Sequence, residues 1–133
     1  MPRSWPSRGR RLGEAAERAA VALWGEGADA YRLVREALAG EAGARNAVER
    51  IGHYLGIAIG SFANIFRPEV VVVGGGFGTA AWELLAEPAL AAAQAEALHP
   101  ADDELRIVQA ALGDAAGLVG AGLVGFEALD GER

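Results

Sequence analysis

Helix-spaced and strand-like apolar patterns follow one another along this chain. Leu12 to Trp24 carries its apolar residues on one stripe, and glycines follow it directly. Ala28 to Ala39 repeats that spacing, with Tyr31 among the residues expected on its buried face. Ala44 to Phe66 begins polar and becomes apolar nearly all round, which is typical of a helix that enters a core. Pro68 disfavours helix in the residue before it, so three helices are predicted up to this point.

The remainder of the chain alternates strand and helix patterns. Val70 to Val73 is an unbroken β-branched run, which is typical of a strand buried on both faces of a parallel sheet. Ala80 to Leu98 predicts a helix, Leu105 to Ala110 a second strand, and Ala115 to Leu129 a final helix with Asp114 at its N-cap. The predicted fold class is therefore α/β, with three helices followed by a β-α-β-α unit. Its two strands lie parallel in a right-handed crossover.

The predicted sheet has only two strands, which is too few to be stable without further packing. Stable sheets usually have more strands, yet the strand Val70 to Val73 and two of the helices are apolar on every side. The sequence therefore predicts neighbours for these elements. They belong either to a homo-oligomer or to a larger fold of which this chain forms one part.

Composition restricts the chemistry. The chain has 133 residues, enough for one domain with a core. It contains no Cys, which excludes disulfides, thiolate zinc sites and thiol nucleophiles. All 12 basic residues are Arg, so neither a Walker lysine nor a Schiff-base lysine is present. The net charge of −6 argues against general nucleic-acid binding.

The chain divides into a basic tail, residues 1–8, and one segment, residues 9–133, that is helical over 9–67 and βαβα over 68–130. No apolar run follows the basic start, so no signal peptide is predicted. The longest apolar stretch, Ile51 to Phe66, is shorter than the roughly 20 residues that a membrane span needs. A soluble, cytoplasmic protein is expected.

The segment EVVVVGGGFGTA, residues 69–80, runs from a strand into a glycine turn. Gly74, Gly75 and Gly76 lack a Cβ, which permits positive φ and lets another molecule approach the backbone. A following helix directs its free N–H groups and positive dipole end at the same place. The turn therefore predicts an anion or nucleotide site. The alternative is a tight turn that serves close helix–strand packing.

Gly76 to Ala81 also fits the dinucleotide fingerprint G-x-G-x-x-A, but the fit is incomplete. The fingerprint requires an acid near the end of the next strand, where it holds the ribose. Here that strand ends in Gln109-Ala110-Ala111, and the first acid after it is Asp114. Asp114 is also the expected N-cap of the last helix, so a ribose or catalytic role is the less favoured interpretation.

The other polar and small-residue patterns have structural interpretations. Gly52, Gly56 and Gly60 are spaced i, i+4, i+8 and predict a close contact on one helix face. His53 and His99 have no partner at ligand spacing, so no metal site is predicted. Solvated surface charge is the interpretation of Asp102, Asp103 and Glu104. No catalytic residue is predicted.

The order of these motifs resembles the late part of the ROK-family sugar kinases, the bacterial glucokinases in particular. The run IGHYLGIAIGSFANIFRPEVVVVGGGFG, residues 51–78, is similar to a family helix that leads into a valine-rich strand and three glycines. LGDAAGLVGAGLVG, residues 112–125, resembles the family's last helix, and SRGRRLGEAAERAA, residues 7–20, the helix after its zinc loop. The matching positions in the first run are Asn64, Pro68, Glu69 and Gly74 to Gly76.

This resemblance implies one lobe of an actin-like ATPase (ribonuclease H-like) fold, whose glycine turn lines the site of ATP and its Mg. Gly74, Gly75, Gly76 and Phe77 would contact the nucleotide. The family's Asp-x-Gly-Gly-Thr phosphate loop, catalytic Asp, sugar-binding motif and cysteine-rich zinc loop are absent from these 133 residues. The chain would therefore be the nucleotide-side part of an ATP:hexose phosphotransferase, inactive alone and without a zinc site.

Two alternatives belong to other classes. The family also includes sugar-responsive regulators, which would make the chain an interaction module. No helix-turn-helix pattern with a basic face precedes residue 40, so DNA binding is not favoured. The second alternative is a dinucleotide-binding fragment, which would bind NAD despite the missing acid.

Overall fold

The computed structural model describes residues 8–98 and 105–111. Within these residues the chain forms five helices and two strands. In chain order they are α1 (Arg8–Trp24), α2 (Ala30–Leu38), α3 (Ala42–Phe66), β1 (Val70–Val73), α4 (Gly76–Ala80), α5 (Trp82–Glu96) and β2 (Arg106–Gln109). None of the helices in this part of the chain is both long and apolar enough to cross a membrane. Outside the described residues lie the predicted tail up to residue 7, His99, Asp102, Asp103, Glu104, Asp114 and the predicted last helix.

The first three helices confirm the predicted order, and side chains explain where two of them begin. Asp29 accepts a hydrogen bond from the Arg32 N–H at 2.8 Å and so caps α2. Glu41 accepts hydrogen bonds from the N–H groups of Gly43 and Ala44 at the start of α3. Each cap satisfies backbone donors that have no partner within the helix.

The core lies between α1, α2, α3 and α5. Leu33, Val48 and Leu85 are the largest fully buried side chains, one each from α2, α3 and α5. Ala16 and Ala20 of α1 are fully buried in the same cluster. Burial of one such leucine stabilises the fold by about 2 kcal/mol. These contacts fix the helices that carry the candidate site.

The predicted close contact of the glycine face of α3 is confirmed, and its partner is α5. A Cβ on Gly52 would lie 3.0 Å from the carbonyl oxygen of Leu85. A Cβ on Gly60 would lie 2.9 Å from another backbone carbonyl oxygen of α5. At Gly56 an added Cβ would overlap the carbonyl oxygen of Ala89. The two backbones therefore approach each other more closely than a side chain at these positions would permit.

The predicted helix from Ala80 to Leu98 is wrong at its start. Helix begins already at Gly76, and the chain leaves helical geometry at Ala81, with φ −97° and ψ 6°, before α5 starts. The Ala81 N–H donates to the Phe77 carbonyl oxygen at 2.9 Å, which closes α4 after 5 residues. Apolar spacing does not reveal this break because alanine favours helix intrinsically.

β1 and β2 pair in parallel as predicted, with Val72 opposite Val108 and Val73 opposite Gln109. The prediction that β1 is buried on both faces is wrong, because Val73 is buried but Val72 is 59% exposed. Successive residues of a strand point to opposite faces of the sheet. Val108, on the same face as Val72, is also exposed. Within the described residues, only one face of the sheet is covered.

Arg67 ends α3 in the left-handed conformation, with φ 45° and ψ 55°. Its Cβ is unfavourable there, whereas glycine has no such cost. Arg67→Gly is expected to raise the free energy of unfolding by about 1 kcal/mol, measured by urea denaturation. Arg50→Gly, in the exposed interior of α3, should lower it by about 1 kcal/mol. Equal destabilisation by both changes would contradict this account of Arg67.

Candidate functional site

The glycine turn lies at the carboxyl ends of both strands. Gly74 and Gly75 join β1 to α4. β2 ends beside them, where the Ala110 N–H donates to the Val73 carbonyl oxygen at 2.9 Å. A Cβ on Gly74 would be in ordinary contact with the Ala110 side chain, at 3.5 Å. Ligands of open α/β sheets bind outside this edge.

The glycines of the turn have different physical roles. Gly75 has φ 89° and ψ 166°, a conformation that a residue with a Cβ rarely adopts. Among residues 8–98 and 105–111, a Cβ on Gly76 would meet nothing within 4 Å, so on this side the backbone is open to an approaching molecule. Gly78 is buried, and a Cβ on it would lie 3.1 Å from the Val73 side chain. Gly78 therefore serves packing, whereas Gly75 and Gly76 keep the turn accessible.

A shallow depression of about 120 Å³ lies beside the turn, between α1, α2 and α4. Its walls are mostly backbone and apolar side chains, with one phenol ring. The lining residues are Gly13, Ala30, Tyr31, Val34, Gly76, Phe77 and Ala80. The depression therefore extends from Gly76, at the glycine turn, to the surfaces of α1 and α2.

Tyr31 corrects one sequence prediction and adds one residue to the site. Helical spacing placed it on the buried face of α2, but it is 80% exposed. The buried residues of α2 are Leu33, Val34 and Ala37, so the true face is rotated away from Tyr31. Aromatic residues on a helix usually indicate a core position, and sequence alone gives no sign that this ring borders the glycine turn.

Phe77 joins the turn to the core. Its side chain is partly buried and packs against the cluster formed by the helices. The ring also borders the depression. Phe77 therefore anchors α4, and its backbone lies between Gly76 and the packed Gly78.

Gln109 contacts α4 from the sheet. Its side-chain Nε2 donates to the Thr79 carbonyl oxygen at 3.3 Å, in a partly buried position. The Thr79 hydroxyl is buried and has no hydrogen-bond partner in the part of the chain that the structure describes. In the sequence, Gln109 stands out only as a strand end that lacks an acid, so this contact was missed there.

The structure gives Asn64 a role in packing. Its side-chain amide donates to the Glu96 carbonyl oxygen at 2.9 Å, and its Oδ1 accepts from the Leu98 N–H at 3.0 Å. Asn64 therefore binds the backbone at the C-terminal end of α5. It precedes the first glycine of the turn by a helix end and a strand. His53 is exposed and its ring contacts Tyr54 edge-on, with centroids 5.8 Å apart. In the described ranges, no three acidic or histidine side chains form a group that could hold a metal ion.

Comparison with known proteins identifies the family. The sequence pattern of the ROK family matches residues 9–125, which is most of this chain. The chain belongs to the ROK family. A glucokinase from Halalkalibacterium halodurans is 39% identical to it over 84 residues, which are 63% of this chain and 25% of that protein.

Solved structures show the same fold in longer ROK proteins. A ROK hexokinase from Thermus thermophilus is 33% identical, with a TM-score of 0.64 over 84% of this chain and 38% of that chain. A ROK family glucokinase from Streptomyces griseus, in complex with glucose and AMPPNP, is 24% identical. Its TM-score is 0.70, over 85% of this chain and 40% of that chain. The fold is therefore an α/β part of an actin-like ATPase lobe. The chain spans at most 40% of the length of these relatives.

Proposed function

We propose that this chain is the nucleotide-side part of a cytoplasmic ROK-type sugar kinase and that Mg-ATP binds along Gly74, Gly75, Gly76 and Phe77. The observation that carries the proposal is the glycine turn itself. Gly75 adopts a glycine conformation and Gly76 leaves its backbone open, at the carboxyl edge of a parallel sheet. The AMPPNP in the complex of the Streptomyces griseus glucokinase supports this class of ligand.

In this proposal the nucleotide would contact two surfaces. The open backbone of the turn would accept phosphates, because no Cβ prevents their approach to the N–H groups. The depression beside Tyr31 and Phe77 would accept the base. Stacking of a base on an aromatic side chain contributes about 1–3 kcal/mol. The sequence assigned Gly74, Gly75, Gly76 and Phe77, so the part of the depression beside Tyr31 extends the proposed site.

Magnesium would arrive with the phosphates. The described residues do not bring together a carboxylate set that fits the ion. Magnesium commonly keeps several waters and binds through nucleotide phosphates and one or two carboxylates. We therefore assign no residue of this chain to the metal.

The phosphoryl transfer itself would need the remainder of the family fold. That reaction requires a positioned hydroxyl, a base and phosphate donors in one cleft. The motifs that the resemblance assigns to the phosphate loop, the base and the hexose do not occur in the 133 residues. The chain alone is therefore proposed to bind nucleotide without phosphorylating hexose. A homo-oligomer or the remaining lobe would cover its exposed apolar surface.

Calorimetric titration of the purified chain with Mg-ATP tests this proposal. Saturable binding is expected for Mg-ATP, and Tyr31→Ala should weaken it by roughly tenfold, which is about 1.4 kcal/mol. The same change should leave the binding of Mg-tripolyphosphate unaltered, because that ligand has no base. Tyr54→Ala, which alters a similarly exposed tyrosine on α3, is the matched control.

Separate titrations with NAD and duplex DNA test the two alternatives. Saturable binding of NAD, with none of Mg-ATP, would replace the proposal by dinucleotide binding. Binding of duplex DNA at moderate salt would instead favour the regulatory module. ATP-dependent phosphorylation of a hexose by the chain alone would contradict the claim that it is inactive by itself.

A further inference from the structure

The arrangement of α4 determines how the glycine turn presents its backbone. α4 has 5 residues and follows Gly75 directly. So short a helix has little stability of its own in water. Gly74 and Gly75 have no side chains that could fix their own position. The orientation of the turn therefore depends on the contacts that hold α4.

Contacts from two directions hold α4. On the helical side, Phe77 packs against the core. On the sheet side, Gly78 packs against Val73, and Gln109 donates its hydrogen bond to the Thr79 carbonyl oxygen. Apolar packing restrains distance but not direction, whereas a hydrogen bond restrains both. Among the described residues, this is the side-chain hydrogen bond that joins the sheet to α4.

We propose that Gln109 is a positioning residue for the glycine turn, and this inference rests on the proposed nucleotide site. Gln109 is the last residue of β2 and pairs with Val73, the last residue of β1. Its side chain therefore spans from one strand end to the helix that follows the other. We call this hydrogen bond from Gln109 to the Thr79 carbonyl oxygen the tether. The tether holds the N–H groups of Gly76 and Phe77 in the orientation that phosphates would meet.

The acceptor in this tether is the Thr79 backbone, not its hydroxyl. The hydroxyl is buried without a hydrogen-bond partner among the described residues, while the carbonyl oxygen accepts a hydrogen bond from the Gln109 amide at 3.3 Å. Thr79→Val should therefore leave the tether in place, because it removes only the hydroxyl. Gln109→Glu should abolish it, because it replaces the donor by an acceptor of the same shape.

Amide hydrogen exchange tests the tether without any ligand. The amides of Thr79 and Ala81 donate to the Gly75 and Phe77 carbonyl oxygens and so report on the stability of α4. Gln109→Glu is expected to speed their exchange by roughly fivefold to tenfold, the effect of losing one hydrogen bond. The most protected amides of α3 should change much less. Gln109→Met, which removes the donor without adding charge, should speed the exchange of the same amides to a similar extent. Gln94→Glu, the same change on an exposed residue of α5, and Thr79→Val should both leave the exchange of these amides as in the wild type.

Titration of the same variants with Mg-ATP tests the positioning role. Gln109→Glu and Gln109→Met should each weaken binding by roughly fivefold, whereas Gln94→Glu should not. Equal exchange in the Gln109 and Gln94 variants would overturn the inference, as would faster exchange with unaltered Mg-ATP affinity. Faster exchange in a chain whose wild type binds no Mg-ATP would support the tether but overturn the proposed function.

Discussion

Gly56→Ala is expected to lower the thermal unfolding midpoint by roughly 10 °C or more. The added methyl would overlap the Ala89 carbonyl oxygen and lie 2.7 Å from the Ala92 Cβ. Both obstacles belong to the backbone or to atoms fixed to it, so neither can rotate away. Relief requires that α3 and α5 separate along their contact, which exposes buried side chains such as Leu85.

Gly13→Ala is the matched control for this effect. Gly13 also lies in a helix, but a Cβ there would meet nothing within 4 Å in the described ranges of the chain. Alanine is a better helix former than glycine by about 1 kcal/mol, so this variant should be slightly more stable than the wild type. The thermal unfolding midpoints of both variants can be measured by circular dichroism at one wavelength. If the two variants unfold at the same temperature, the close α3–α5 contact is not present in solution.

Gly75→Val is expected to weaken Mg-ATP binding by roughly tenfold or more, which is at least about 1.4 kcal/mol. Two effects act together. The φ of 89° is unfavourable for a β-branched residue, so the turn must rearrange. The new side chain would also add bulk at the exposed turn, where phosphates are proposed to reach the backbone. Calorimetry with Mg-ATP measures the change.

Gly40→Val separates these effects from a general loss of stability. Gly40 has φ 95° and lies after α2, and no atom of the described residues lies within 4 Å of a Cβ added there. The backbone cost of the substitution is therefore similar, but Gly40 lies outside the glycine turn between β1 and α4. Gly40→Val should bind Mg-ATP as the wild type does. Equal loss of affinity in both variants would assign the effect to destabilisation and remove its support for a site at the turn.

Periodicity predicted the elements that a single apolar pattern determines. The end of α3 at Phe66 and the bounds of β1 agree with the structure, because Pro68 and the four valines are strong local signals. The break at Ala81 was missed, since nothing in the local sequence disfavours helix there. Tyr31 was assigned to the wrong face, because helical spacing defines a stripe but not which residues at its margin are covered.

The site was only partly predictable for a similar reason. Three consecutive glycines indicated an accessible turn, but the sequence could not distinguish Gly76, which is open, from Gly78, which is packed. The Gln109 contact joins residues 30 positions apart, and the depression joins three helices. Contacts of this kind depend on how elements pack. The resemblance to the ROK family supplied the ligand class, which composition and spacing had left open.

Two-dimensional ¹⁵N–¹H NMR of the isotope-labelled chain, titrated with Mg-ATP, tests the nucleotide site most directly. The amide signals of Gly75, Gly76 and Phe77 are predicted to move progressively and saturate, together with that of Tyr31. The signals of Gly25, Gly27 and Gly40, whose φ angles are also positive, should stay in place. Movement confined to those three glycines, or unchanged signals at the turn under excess Mg-ATP, would contradict a nucleotide site in this chain.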